Sequence, residues 1–145
     1  MRFDGKHVVV TGASRGIGRG VAEAFAAAGA RVTILADDAA VSETASQMSR
    51  QSAQPVAPVR CDITDRAAVQ AAFRDMADID VLVNNAGLER LTPVRSEDAA
   101  VLDTYARIID INVNGSFWVT HAVLPHMRRG GRIIFKMNSL VDPPM

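Results

Sequence analysis

The chain of 145 residues is poor in several residue types, and each scarcity excludes something. There is one cysteine, Cys61, so an internal disulfide is impossible, and a lone thiol suits a reducing compartment. It ends an apolar run and is expected to be a small core residue rather than a nucleophile. Sixteen basic residues balance sixteen acidic ones, which removes the electrostatic case for nucleic acid or an anionic membrane. No apolar run approaches the roughly 20 residues needed to cross a bilayer, and the first strand begins without room for a signal peptide. A cytoplasmic protein is the expectation. His121 and His126 lie five apart on a helix and do not share a face, and His7 has no ligand partner nearby, so no metal site is expected. Phe117 and Trp118 are expected to pack rather than to form a stacking platform.

What is present is a regular alternation of β-type runs and amphipathic stretches. Strands are expected at Lys6–Thr11, Arg31–Ala36, "PVAPVRC", "IDVLVNN" and "GRIIFKM". Helices are expected from the first glycines to about Ala28, from Asp38 to about Ser52, and after a Thr64 or Asp65 cap. A long helical region should run from Ser96 to about Arg129, interrupted near Asn112–Gly115 and at Pro125. Pro55 and Pro58 place the third strand at a sheet edge, and Arg128, Arg129 and Arg132 are expected at a solvated helix end. This order implies βαβ units, hence an α/β fold with a doubly wound parallel sheet. Residues 1–137 form the expected domain, with a tail of different character over 138–145.

The most informative stretch is "VTGASRGIGRG". Gly12, Gly16 and Gly18 follow a strand and open a helix. One glycine permits the tight turn, another lets backbone N–H groups approach a pyrophosphate, and the last permits close helix–strand packing. The partial positive charge of the helix N-terminus favours phosphate there. The spacing is T-G-x-x-x-G-x-G. With "NNAG" (Asn84–Gly87), "CDITD", "INVNGSF" and "LPHMRRGGRII", it resembles the short-chain dehydrogenase/reductase family from Lys6 to about Ile134.

That resemblance implies a Rossmann sheet of about five strands in order 3-2-1-4-5, without the family's last strands. It implies an oxidoreductase-type chain that moves hydride between a nicotinamide cofactor and an alcohol or carbonyl. Gly12, Ser14, Arg15, Gly16, Ile17 and Gly18 would line the pyrophosphate and adenosine ribose; Asp62 and Ile63 would flank the adenine. Asn84, Ala86 and Gly87 would pass under the ribose linkage, with Asn84 and Asn85 as a turn-forming pair the alternative. Asp37 stands where NADP-preferring relatives carry a basic residue, and Asp37 or Asp38 could reach a ribose hydroxyl, which favours NAD. Arg15 is shared with NADP-binding relatives, and Asp38 could instead cap the second helix.

The family's catalytic relay of Asn, Ser, Tyr and Lys is incomplete in this sequence. Asn112 matches the asparagine, and Ser139 falls one place later than the family's serine. Tyr105, the only tyrosine, has Ile109 where the lysine would stand; neither Lys6 nor Lys136 follows a tyrosine at the required spacing. From Phe135 onward the resemblance fades, as a frameshifted or shortened reading frame would give. Three expectations follow: a cofactor-binding chain inactive or impaired alone; an interaction protein pairing through helix 96–129 with a second copy, a full-length relative or another partner; or a degenerate product. The small-molecule substrate is not legible.

Overall fold

A computed structural model describes residues 1–137; the expected tail over 138–145 lies outside them. Five parallel strands form one sheet in the order β3-β2-β1-β4-β5. They are β1 (His7–Thr11), β2 (Arg31–Ala36), β3 (Val56–Arg60), β4 (Ile79–Asn84) and β5 (Met127–Phe135). Helices α1 (Gly16–Ala27), α2 (Ala40–Ser49) and α3 (Arg66–Phe73) connect the first four strands. α4 (Ala100–Ile109), a π-helical segment (Asp110–Gly115), α5 (Ser116–Val123) and a 3₁₀ turn (Leu124–His126) lead into β5.

Strand alternation sends side chains to two cores. Val8 and Val10 of β1, with Val32 and Ile34 of β2, pack against Ala22 and Ala26 of α1 and Val41, Ala45 and Met48 of α2. Val9, Leu35, Ile79 and Leu82 point the other way, onto Val69 and Phe73 of α3 and Val119 and Val123 of α5. Both faces of β1, β2 and β4 are therefore covered, as their unbroken apolar runs imply. The prolines are where the sequence places them: β3 is an edge, and Pro58 pairs with Ile34 on its inner side. Asp65 caps α3 by accepting the Ala68 N–H at 3.0 Å.

The final crossover differs from expectation. Helix ends at Val123, and Pro125 closes a single 3₁₀ turn, so β5 begins at Met127 rather than beyond Arg129. Arg128, Arg129 and Arg132 stand on a strand, not at a solvated helix end. Two interactions favour the extended chain. Arg128 reaches Asp78 at 3.4 Å and Asp80 at 4.0 Å, and Gly130 takes a positive φ of 82° beside a register shift against Ile79–Val81. β5 is the second sheet edge, with Ile134 and Phe135 about half exposed.

Beneath the sheet, at the N-terminal ends of β1 and β4, a polar cluster fixes their register. Asp80 accepts the His7 backbone N–H at 2.9 Å and the Lys6 ammonium at 3.3 Å. Burial pushes the Asp80 carboxyl up, but the His7 N–H, Lys6 and Arg128 together hold it below the ordinary carboxylate value. The His7 ring is buried between the Ala77 carbonyl (3.2 Å) and the Thr33 hydroxyl (2.8 Å). A carbonyl only accepts, so Nδ1 carries the proton and neutral Nε2 accepts from Thr33. Burial then pushes the imidazolium down from its ordinary value of 6.5.

Both groups bind fewer protons folded than unfolded, so stability rises with pH across each window. His7 contributes fully above 6.5 and progressively less as pH falls toward its lower folded value. Asp80 contributes above 3.8 and loses its effect as pH falls through its own depressed value. The melting temperature should therefore drop between pH 7 and 5, and His7→Gln should flatten that drop; equal slopes in the two proteins would exclude His7 as the titrating group. Asp65→Ala should cost about 1 kcal/mol in denaturant unfolding, with exposed Asp75→Ala as the silent control.

Candidate functional site

At the C-terminal ends of the strands a cleft of about 380 Å³ opens between the loops after β1, β2, β3 and β4. This is where an open parallel sheet binds ligands, outside the strand ends at the point where strand order reverses. Its floor is the turn after β1. Gly12 has φ 64°, and a Cβ there would lie 2.7 Å from the Ala86 Cα. At Gly18 a Cβ would overlap the Gly12 carbonyl and the Asn85 side chain. Gly16 also has positive φ (60°), but faces open space within the cleft.

The floor is tied to β4 from both sides. The Thr11 hydroxyl oxygen accepts the N–H groups of Asn85 (3.1 Å) and Ala86 (3.0 Å), while Asn85 Nδ2 donates to the carbonyls of Thr11 and Gly12, each at 3.0 Å. α1 begins at Gly16 with Arg15 at its cap position, no side-chain cap and no acidic residue in its first turn. An uncapped twelve-residue helix thus points its positive end into the cleft, the arrangement that suits a phosphate group.

The wall after β2 carries the acids. Asp38 Oδ2 accepts the Ser14 hydroxyl at 2.8 Å, and its Oδ1 accepts the Ala40 N–H at 2.9 Å. It therefore steadies the chain just before α2, whose cap residue is Ala39 rather than Asp38, while also lining the cleft. α2 itself starts at Ala40, two residues later than expected, because Asp38 turns the chain before it. Asp37 is exposed at the rim; its backbone carbonyl accepts Arg60 Nε–H at 3.2 Å, and its carboxylate forms none of the hydrogen bonds among the described residues.

After β3, Cys61, Asp62 and Ile63 form the far wall. The Asp62 carboxylate takes the Thr64 N–H at 2.9 Å and the Thr64 hydroxyl at 2.8 Å. The Thr64 N–H is the main reason its carboxyl lies below the ordinary value; burial opposes this, and the Thr64 hydroxyl and the charge of Arg107 add to it. Burial, then Asp62 and Asp65, pushes the Cys61 thiol up to about 11, so it stays protonated and apolar at neutral pH.

The structure brings together Gly12, Ser14, Arg15, Gly16, Ile17, Gly18, Asp37, Asp38, Asp62, Ile63, Ala86 and Gly87 in this one cleft. Asn84 is not on it. As the last residue of β4 it turns the other way, and its Nδ2 donates to Thr120 of α5 at 3.0 Å. Asn85, the next residue, supplies the cleft wall instead. Asn112 also stands back from the lining: its Oδ1 accepts the Leu88 N–H at 2.7 Å and its Nδ2 donates to the Leu88 carbonyl at 2.9 Å. It sits in the π-helical segment, and this two-way bond fixes the loop that follows "NNAG". Ser139 lies outside the described residues.

Leu88, Arg107, Ile111 and Lys136 also line the cleft and were not anticipated. Ile111, beside Asn112, could have been found by helical spacing; Lys136 only by noting a charge in an apolar strand. No helix among the described residues is long and apolar enough to cross a membrane, and none of their His, Cys, Asp and Glu side chains cluster as a metal site.

Comparison with known proteins agrees with this geometry. The short chain dehydrogenase family model matches residues 6–140. A sorbitol dehydrogenase of Cereibacter sphaeroides is 36% identical over 91% of the chain, and a galactitol 2-dehydrogenase of Agrobacterium fabrum is 37% identical over 92%. The chain spans 51% and 53% of those two proteins, about half their length. Among solved structures, a variant of a Serratia marcescens short-chain dehydrogenase/reductase superposes with a TM-score of 0.83 at 31% identity, over 93% of this chain and 56% of its own. The Pseudomonas aeruginosa RhlG/NADP active-site complex gives 0.82 at 30%, over 92% and 55%. A five-stranded sheet in order 3-2-1-4-5, a glycine floor under an uncapped helix and a match over most of its length establish that this chain belongs to the short-chain dehydrogenase family.

Proposed function

We propose that this chain is the nucleotide-binding half of a short-chain oxidoreductase, taking a nicotinamide dinucleotide in the cleft above β1 and β4. The observation that carries the reading is the uncapped start of α1, facing the open cleft behind Gly16 with no acidic residue to compete for it. Backbone N–H groups of that turn would bind the pyrophosphate. Ser14, held by Asp38, and Arg15 would border the adenosine ribose; Asp62 and Ile63 would border the base. Ala86 and Gly87 would let the nicotinamide ribose pass close to the backbone, and Asn112 would position the Leu88 loop beside it.

When bound, the cofactor would supply or accept a hydride. A general acid/base must move the accompanying proton. Within these residues Tyr105 does not fit that role, being exposed on α4, off the cleft, with Ile109 four residues on. Loss of a positioned acid/base typically lowers rate by about 10²–10⁴-fold. The 145 residues alone should bind cofactor but turn over alcohols and ketones weakly or not at all. The substrate class favoured by the sorbitol and galactitol relatives is a polyol or the corresponding ketose.

NAD is preferred over NADP in this reading, because Asp37 and Asp38 would repel a 2′-phosphate. Titration with NADH and NADPH, followed by nucleotide fluorescence and thermal shift, should give saturable binding that is tighter for NADH. A charged hydrogen bond of about 1.5–3 kcal/mol corresponds to roughly 10- to 150-fold in affinity. Asp37→Arg should narrow or reverse the preference. Absence of saturable binding by either nucleotide would overturn the reading.

A second reading, an interaction protein, is favoured by one apolar stripe. Leu102, Tyr105, Ile109, Val113 and Phe117 run along α4, the π-helical segment and α5, and are 72%, 56%, 37%, 55% and 60% exposed. Such a stripe fits a second copy or a full-length relative. Light scattering should find a dimer or larger species that Leu102→Glu with Phe117→Glu converts to monomer; a monomeric parent, unchanged on adding a relative, would exclude pairing through this face.

A further inference from the structure

The cleft has one wall that the family pattern did not supply. α4 and its π-helical continuation lie close over the loop after β3, because Gly115 leaves no room between them: a Cβ there would meet Ile63 Cγ1 at 2.6 Å. This approach sets Ile111 and Arg107, from the preceding turns, on the cleft beside Asp62 and Ile63. Arg107 is solvent-exposed and takes part in none of the ion pairs among the described residues. Its charge reaches the Asp62 carboxylate, but that carboxylate is satisfied by both donors of Thr64.

The surroundings select what a guanidinium there could hold. Asp37, Asp38 and Asp62 line the same end of the cleft, an unfavourable setting for a further phosphate. The remaining neighbours, Cys61, Ile63 and Ile111, are apolar. Apolar neighbours with a planar guanidinium beside them suit a purine, on whose flat face a guanidinium plane stacks.

We propose that Arg107 is a cofactor-binding residue that closes the adenine end of the cleft by stacking its guanidinium on the base. The inference rests on the dinucleotide reading above and adds to it a residue on α4, outside the glycine turn and the strand-end loops. Ile63, held by its close packing against Gly115, lines the same end of the cleft. Arg107, being exposed, moves to admit and release the base.

The test uses the full chain and ligands that separate the two halves of the cofactor. ADP-ribose contains the adenine; reduced nicotinamide mononucleotide does not. Arg107→Ala should weaken ADP-ribose and NADH by about 3- to 30-fold, leave the mononucleotide unchanged and leave the melting temperature of the free protein unchanged. Arg107→Tyr, flat but uncharged, should restore ADP-ribose binding better than Arg107→Lys. Recovery by Lys and not Tyr would mean a charge effect and overturn the proposal. Equal ADP-ribose binding by the parent and Arg107→Ala would overturn it while leaving the dinucleotide reading intact. Absence of NADH and ADP-ribose binding by the parent protein would overturn both.

Discussion

The close seam between the first strand's turn and the end of the fourth is the constraint from which the rest of the site follows. Thr11 accepts two backbone N–H groups from Asn85 and Ala86, and the Asn85 side chain returns two hydrogen bonds to the turn. This exchange is possible only because Gly12 and Gly18 carry no Cβ at the points of contact. A Cβ at Gly12 would press on the Ala86 backbone, and one at Gly18 on the Gly12 carbonyl and on the Asn85 amide that makes the seam's hydrogen bonds. Once the seam is closed, α1 must start at Gly16 with its first turn turned outward, and the cleft lies where that turn points. A ligand-binding geometry is here a consequence of strand pairing.

The opposite end of the sheet supports that seam from below. Asp80 ties the start of β4 to the start of β1 through the His7 N–H, and Arg128 joins β5 to the same carboxylate. With register fixed at both ends, Val8, Val9 and Val10 of β1 align with Val81, Leu82 and Val83 of β4. A one-residue slip would exchange the two cores and displace Thr11 from Asn85. The polar cluster beneath the sheet and the polar seam above it therefore specify one arrangement that the apolar strands alone would leave less well determined.

Much of this was legible in the sequence because it is local. The strands are short apolar runs, Pro58 marks the outer strand, and the glycine spacing announces the turn. What was not legible depends on contacts between distant segments. "NNAG" does not say which asparagine faces the cleft; strand alternation at the end of β4 turns Asn84 toward Thr120 and leaves Asn85 to the floor. The start of β5 was misplaced because Arg128 and Arg129 look like a helix end until Asp78 and Asp80 are known to lie opposite. Arg107 was missed because nothing in its own segment marks it, and the charge of Lys136 in an apolar run does not say that it faces the cleft; they reach it through the placement of α4 and of β5.

The two ends of the cleft differ in kind. The end bordered by the loops after β2 and β3 is enclosed by elements that hold one another: Ser14 by Asp38, Asp62 by Thr64, Ile63 by the approach of Gly115. The other end is bordered by the Leu88 loop and by Lys136 at the close of an edge strand whose Ile134 and Phe135 are half exposed. The first end is thus built by the loops after β1, β2 and β3 with the start of α1 and a turn of α4, whereas these elements leave the other end open.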